Sequence, residues 1–276
     1  MDRRIFSLGR MLTLLSAFWA FEAGAVAYSL PAVTFGACTG SWNAATHTCG
    51  SRVVFQPGDT LTVTTALTIR ANAGFELKGN NSLGVGGATV SLVSTYGDIT
   101  IGTGSRVNGS LTSGSGTVEL TGTHVEGSVK GDGIGRITDS SIAGDTALKN
   151  GLTALRSVFS GAVTVTNGTA NFTESRVMGE VVVRNVLTAQ GSEFGSTVTA
   201  TNGSISLSGG SVAGRVTTNC CTVTTNQTNL EQGITAHSGI SITGGVIAGD
   251  FVMTTNNNTT RSSTRRPTRC ATRCRR

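Results

Sequence analysis

The sequence predicts an all-β protein built around a short-coil, three-sided parallel β-solenoid. Glycine is abundant, at 38 of 276 residues, whereas the chain holds only 3 prolines and 5% aromatic residues. Alternating runs of Val, Thr and Ile between the glycines are typical of short strands joined by turns. A phrase of a hydroxyl residue, an apolar residue and a glycine returns at a nearly constant interval, which indicates a repeat architecture. An antiparallel sandwich or barrel would also give short strands, but it would not require a constant interval.

Charge is concentrated outside the predicted body. The net charge is +6, but residues 255–276 hold seven arginines and no acidic residue, and residues 1–27 add a net +1. Residues 28–254 therefore carry a net −2 and lack the basic face of a nucleic-acid-binding protein. Few aromatic and few charged residues also argue against an ordinary mixed globular enzyme.

Residues 1–27 are predicted to be a signal peptide. Three arginines flank the start of an apolar run at residues 11–21, and Ala25-Val26-Ala27 is a small-x-small cleavage pattern. The apolar run is too short to span a bilayer. We therefore expect a bacterial protein that is cleaved before Tyr28 and exported to the periplasm, the outer surface or the medium, with no transmembrane span afterwards.

Residues 28–60 are predicted to form an entry segment closed by a disulfide. Cys38 and Cys49 bracket a short loop that contains Trp42, and export makes a disulfide feasible. Closing this loop would stabilise the fold by about 2–3 kcal/mol. A metal site using His47 would lack its remaining ligands. We expect the segment to cover one open end of the solenoid, with Trp42 as its apolar plug.

Residues 61–254 are predicted to form the solenoid. The spacings of the recurring glycines average 17.5 residues, so each coil should take about 17–18 residues. Three short alternating runs per period indicate three faces, with Val163 and Val165 pointing inward. Coils stacked about 4.8 Å apart would make a rod of about 50 Å from some eleven coils. Glycine and asparagine at the corners are expected to supply positive φ angles. The recurring glycines are Gly109, Gly127, Gly144, Gly161, Gly179, Gly195, Gly214, Gly233 and Gly249.

The coils contain one weak candidate for a binding or catalytic site, which is a cluster of carboxylates. Asp132, Asp139 and Asp145 lie close together around one coil and are candidates for binding a cation or a sugar, with solvated turn residues as the alternative. The three histidines are far apart and no pairing is implied. No metal or cofactor fingerprint is present in its required setting, so we expect neither a metal nor a cofactor.

A repeated T-x-T column, which could bind ice, is considered but not expected. Glu180 and Arg184 are expected to interrupt the face between the two places where the pattern occurs. Those places are Thr164 with Thr166 and Thr222 with Thr224.

The other cysteines are assigned no role. Cys220 and Cys221 are adjacent, so in a strand one should face the core and the other the solvent, with a vicinal disulfide as the alternative. Residues 255–276 are polar and Arg-rich and are expected to be a disordered tail, in which Cys270 and Cys274 have no second ligand pair. The tail is either a basic arm for anionic polysaccharide or lipid, or a linker remnant of a longer protein.

Two features carry a family resemblance. The entry segment, with its C-x10-C, Trp42, V-V-F and P-G-D-T-L-T-V at 57–63, together with the coil array, resembles the N-terminal region of large exported MshQ-like proteins of pilus biogenesis. The coil array alone also resembles bactofilins, which are polymer-forming proteins. The first resemblance implies a role at the cell envelope or pilus without a known reaction. The second implies self-association through the solenoid ends.

Three functional hypotheses follow. The first is a non-enzymatic, exported structural or surface protein with envelope or pilus proteins as partners. The second is a bactofilin-like self-assembling scaffold. The third is a β-helix that binds or cleaves polysaccharide, in which Asp132, Asp139 and Asp145 would have to converge.

Overall fold

The computed structural model describes residues 24–255 and 258–269, and within those ranges the regular structure is entirely β. The strands stack in parallel as a solenoid with three faces. One face is an 11-stranded sheet, and a 25-stranded sheet forms the other two. The predicted fold class is therefore confirmed. Residues 1–23 of the predicted signal peptide lie outside the described residues, and the predicted cleavage before Tyr28 falls inside a strand, because Ala27 pairs with Thr60.

The first face is the 11-stranded sheet. Its strands are β4 (Val53–Phe55), β7 (Phe75–Leu77), β10 (Ile99–Ile101), β13 (Val118–Thr121), β16 (Ile134–Thr138), β19 (Gly151–Leu155), β22 (Ala170–Thr173), β25 (Leu187–Gln190), β28 (Ile205–Ser208), β31 (Thr222–Asn226) and β34 (Gly239–Thr243).

The second face follows in each coil and carries the recurring phrase. Its strands are β1 (Ala27–Leu30), β5 (Thr60–Val63), β8 (Ser82–Val85), β11 (Arg106–Val107), β14 (His124–Val125), β17 (Ser141–Ile142), β20 (Val158–Phe159), β23 (Arg176–Val177), β26 (Glu193–Phe194), β29 (Ser211–Val212) and β32 (Asn229–Leu230).

The third face completes the coil. Its strands are β3 (Thr48–Cys49), β6 (Leu67–Ala71), β9 (Val90–Ser94), β12 (Leu111–Ser113), β15 (Val129–Gly131), β18 (Thr146–Leu148), β21 (Val163–Val165), β24 (Val181–Val183), β27 (Val198–Ala200), β30 (Val216–Thr218) and β33 (Gly233–Ala236). Strand β35 (Val246–Thr255) continues both the second and the third face, because it pairs with β32 and with β33.

Coil length is not uniform along the rod. Phe75 stacks on Val53 after 22 residues, and Ile99 stacks on Phe75 after 24. The step from Ile99 to Val118 is 19 residues, and from there each step to β34 is 17 or 18. The predicted period thus holds for the later coils, whereas the first coils are longer.

The core is a set of stacked apolar columns. On the third face Val163 and Val165 are buried as predicted, and they stack directly on Val181 and Val183 of the next coil. Phe159, from the second face, packs edge-on against Phe172 of the first face, with ring centroids 6.2 Å apart. Alternation places these side chains inside because each strand exposes every second residue.

A column of buried hydroxyl side chains lines the turn between the first and second faces. The Ser157 hydroxyl accepts a hydrogen bond from the backbone N–H of Ser140 at 3.3 Å and donates one to the Leu155 carbonyl at 2.8 Å. The Ser175 hydroxyl repeats this arrangement, accepting from the Ser157 N–H at 3.1 Å. The column therefore ties successive coils together through buried polar groups that are paired. Its buried members are Ser105, Thr123, Ser140, Ser157, Ser175, Ser192 and Thr228.

The recurring glycines lie at a different turn, between the second and third faces. Most of them do not supply the positive φ angle that the sequence predicts. Of the nine, only Gly233 and Gly249 have positive φ. A Cβ at Gly144 would lie 2.7 Å from the carbonyl carbon of Gly127 in the preceding coil. The expectation of positive φ is therefore wrong for most of them: these glycines allow close backbone stacking. Positive φ instead occurs just before the buried hydroxyls, at Gly104, Gly122, Asp139, Arg156, Glu174, Gly191 and Gln227.

The entry segment forms a cap at the N-terminal end of the core. Strand β2 (Trp42–Asn43) pairs antiparallel with β3, and the Val54 N–H donates to the Ala37 carbonyl at 2.8 Å. Phe35 packs against Trp42 and Phe55, with ring centroids 5.0 and 5.9 Å apart. Antiparallel backbone therefore covers the first strand of two faces, and aromatic rings cover the core beneath them.

The C-terminal end differs from the disordered tail expected for residues 255–276. Strand β36 (Asn258–Arg269) runs antiparallel to β35, from Asn258 opposite Thr255 to Arg269 opposite Val246. The unpaired backbone groups of β35 explain why a polar segment can add here, since an edge strand accepts another strand irrespective of its side chains. Cys270 and Cys274 lie outside the described residues.

Candidate functional site

A polar cluster on the surface spans three coils of the second face. Arg106, His124 and Ser141 stand one above the other on β11, β14 and β17, because the register pairs Arg106 with His124 and His124 with Ser141. Glu126 follows β14. It comes two residues after His124, so the two side chains point to the same side of the sheet. The sequence search missed this cluster. Arg106, His124 and Ser141 each stand immediately before the buried apolar residue of a recurring phrase. Aligning the phrases on that residue would have placed the three side chains in one column.

Hydrogen bonds and ion pairs connect the cluster. His124 Nδ1 lies 2.5 Å from Ser141 Oγ, and His124 Nε2 lies 3.0 Å from Glu126 Oε1. The Arg106 guanidinium also pairs with Glu126. The hydrogen bond from His124 has the largest effect on the Glu126 carboxyl and lowers its pKa below the ordinary value. Desolvation opposes this shift, and the charges of His124 and Arg106 add to the lowering.

A serine, a histidine and a carboxylate in contact are the groups of a nucleophilic site, but the surroundings do not provide the rest of one. Catalysis at a serine requires N–H groups aimed at the developing oxyanion. Here the backbone N–H groups of Glu126, Ser141 and Ala143 donate to carbonyls of the preceding coil, at 2.9–3.0 Å. The cluster can therefore link coils. The neighbouring N–H groups are already used in the hydrogen bonds between strands, so they are not free to stabilise an oxyanion.

The predicted carboxylate cluster is not brought together. Asp132 lies between β15 and β16, Asp139 between β16 and β17, and Asp145 between β17 and β18, so they occupy three different turns of one coil. Two faces of the solenoid separate them. Among the described residues, no group of three or more His, Cys, Asp or Glu side chains is arranged to hold a metal ion.

Two of these carboxylates are engaged in contacts between coils. Arg156 donates from Nε and Nη2 to both carboxylate oxygens of Asp139, at 2.7 and 2.8 Å. This hydrogen bonding, with the charge of Arg156, lowers the pKa of Asp139, and the same hydrogen bonding with the charge of Asp139 raises the pKa of Arg156. Asp145 Oδ1 accepts from the Ala162 N–H at 2.9 Å. Their observed role is to brace neighbouring coils.

The structure contains the predicted disulfide between Cys38 and Cys49, and a second one between Cys220 and Cys221. The second pair lies in the bend between β30 and β31, and both residues are half-buried. The expectation of one core and one exposed cysteine is wrong, because the pair sits at a corner and not in a strand. Ser238 of the next coil donates from its hydroxyl to the Cys220 carbonyl at 2.6 Å.

The threonine columns fall on two different faces. Thr164 points outward from the third face, whereas Thr222 and Thr224 point outward from the first. Glu180 and Arg184 flank β24 on the third face only, where the register places Val182 rather than either of them next to Thr164. The expected interruption is therefore wrong for the first face.

We call the outward side of the last six strands of the first face the hydroxyl face. Its middle column is Thr153, Asn171, Thr188, Ser206, Thr224 and Ser241, and the next column is Leu155, Thr173, Gln190, Ser208, Asn226 and Thr243. The outward residue that opens β31, Thr222, also belongs to it.

Comparison with known proteins gives no relative: the chain matches no family model, no curated protein and no solved structure. Over the described ranges, no helix is long and apolar enough to cross a membrane.

Proposed function

We propose that the protein is a non-enzymatic, exported structural rod that acts at the cell envelope, in a surface or pilus-associated assembly. The observation that carries the proposal is that the strongest polar networks on the surface run between coils. The Asp139–Arg156 pair, the Arg106–Glu126–His124–Ser141 cluster and the Asp145 contact all connect neighbouring turns. These side chains serve the rod itself.

The two disulfides support the exported location. Disulfides persist in oxidising compartments and are rare in the cytosol. The Cys38–Cys49 bond closes the cap on which the first coils rest, so a reducing compartment would loosen that end of the rod. The predicted signal peptide gives the route of export.

The cap favours a discrete rod over a self-assembling scaffold. At the N-terminal end, antiparallel backbone already occupies the outer strand of the first face at Val54 and of the third face at Thr48–Cys49. Adding a second copy in parallel register would require these contacts to break. For polysaccharide cleavage, the separation of Asp132, Asp139 and Asp145 removes the cluster on which that hypothesis depended.

Expression of the full chain in a bacterium, followed by fractionation and negative-stain microscopy, tests the proposal. We expect processed protein outside the cytoplasm, with Tyr28 as its first residue, and monomeric rods of about 50 Å. Unprocessed protein in the cytoplasm would contradict export. Filaments that lengthen with protein concentration would contradict the discrete rod and support the scaffold.

A further inference from the structure

The middle column of the hydroxyl face is an unbroken row of small polar groups, whereas the next column also includes Leu155 and Gln190. Register pairing places Thr188, Ser206 and Thr224 directly above one another, one per coil. Successive coils are about 4.8 Å apart, so the six strands extend for about 24 Å. Residues on the same side of a strand are about 6.6–6.8 Å apart, which gives the lattice its second spacing.

The groups of this lattice are available to a ligand. Thr153, Thr188 and Thr224 are exposed. Among the described residues, no side chain of the middle column makes a hydrogen bond to another protein group, whereas the buried hydroxyls at the turn are fully paired. Threonine is also stiff at χ1, so the rows hold their positions with little entropy to lose on binding.

The six strands of the hydroxyl face carry no charged residue, although Arg156 and Glu174 follow β19 and β22 at the corner. On the third face Glu180 and Arg184 flank β24, and Arg215 precedes β30. Charged residues thus border both faces, and the faces differ in their middle outward column, which is polar at every coil of the hydroxyl face but includes Ala147 and Val182 on the third face. An uncharged surface is complementary to a neutral partner, because a charged group would have to give up its hydration without compensation.

The chemistry of the lattice selects among neutral partners. Methyl and hydroxyl groups in fixed rows can hold a layer of ordered water, and many weak contacts act together when the surface is rigid. A sugar chain would be expected to stack on an aromatic ring, and the outward side of these six strands presents none. We propose that the hydroxyl face binds the surface of ice.

Lysine substitutions on matched faces test this proposal. Thr188→Lys with Thr224→Lys places two charges in the middle column, two coils apart. Thr164→Lys with Thr199→Lys places two charges at the middle outward positions of the third face, also two coils apart. The purified, disulfide-bonded full chain and both variants are compared for inhibition of ice recrystallisation and for shaping of single ice crystals, after circular dichroism has confirmed that each is folded.

We expect the wild type to inhibit recrystallisation and to shape crystals. The first-face variant should need about tenfold more protein for the same effect, and the third-face variant should remain within about twofold. A wild type that behaves like serum albumin would overturn the proposal, and so would equal losses in both variants. Binding of a neutral glycan is measured on the same three proteins. If none of them affects ice and glycan binding is lost only in the first-face variant, the ligand of this face is the glycan and the ice proposal is wrong.

Discussion

The buried hydroxyl column is the residue-scale feature on which the stacking of the second face depends. Four of its serines, Ser140, Ser157, Ser175 and Ser192, each accept a hydrogen bond from an N–H of the preceding coil and donate one within their own coil. Removing one of these hydroxyls therefore leaves a buried N–H without a partner. We expect Ser157→Ala to lower the free energy of unfolding by about 1–3 kcal/mol. Urea unfolding followed by circular dichroism measures this. The matched change is Ser160→Ala, at an exposed position three residues later, which should alter stability by less than about 0.5 kcal/mol.

The stacking glycines make a second residue-scale prediction. A methyl group at Gly144 would meet the backbone of Gly127 and Ser128 at 2.7 Å, and backbone cannot move aside as a flexible side chain can. Gly144→Ala should therefore destabilise the protein by at least about 1–3 kcal/mol, the usual cost of overpacking. Gly239→Ala is the control, because its nearest new contact is Thr222 at 3.5 Å and its φ is not positive. Equal midpoints in thermal unfolding would contradict this reading of the recurring glycines.

The Asp139–Arg156 pair predicts a pH dependence. Because the pKa of Asp139 is lowered in the folded state, its contribution to stability is present above the ordinary Asp value of 3.8 and is lost as the pH falls through the folded value. We expect Asp139→Asn to lower the melting temperature slightly at pH 7. At a pH low enough to protonate Asp139 in both the folded and the unfolded protein, the substitution should leave the melting temperature unchanged. Asparagine also tolerates the positive φ of this position, so the backbone is not perturbed. A melting-temperature difference that persists at low pH would show that the pair does not act through charge.

At the scale of elements, the cap makes the sharpest prediction. The Cys38–Cys49 bond closes a loop of 11 residues, whereas the Cys220–Cys221 bond joins neighbours and closes almost none. Cys38→Ala with Cys49→Ala should therefore cost about 2–3 kcal/mol on the loop-entropy model. The double change Cys220→Ser with Cys221→Ser should cost clearly less. Guanidinium unfolding of the two variants makes the comparison, and a larger loss from the adjacent pair would refute the loop argument.

At the scale of the whole molecule, a coil behaves as a unit that can be removed. Residues 157–174 make one coil, because Val158 stacks on Arg176 and the residues before them occupy equivalent turns. Deleting these residues should give a folded rod that is shorter by about 4.8 Å, since each repeat contacts only its neighbours. Small-angle scattering and circular dichroism check the length and the fold. Deleting only residues 157–165 should abolish cooperative unfolding, because the faces of the next coil would fall out of register.

The sequence was sufficient to predict the fold because every coil repeats the same inward pattern. Val163 and Val165 were placed in the core by alternation alone, and Cys38 and Cys49 were paired by export and spacing. The contacts at the corners depend instead on which residues of different coils stand above one another. His124 and Ser141 are neighbours only through the register. Asp132, Asp139 and Asp145 are close in sequence but lie at three different corners of the coil. The added strand Asn258–Arg269 could not be predicted from its side chains, because an unpaired backbone edge positions it.

The constant register has a consequence for the order of assembly. Along the later coils, a strand finds its partner 17 or 18 residues earlier, so closing each new turn carries the same entropic cost however long the rod becomes. The cap precedes the coils in the chain, and it presents the initial edge at Val53–Phe55. A nascent chain can therefore add turns one at a time onto a finished template. Folding then keeps pace with synthesis or transport, and an interrupted chain still leaves a shorter rod that is complete up to its last turn.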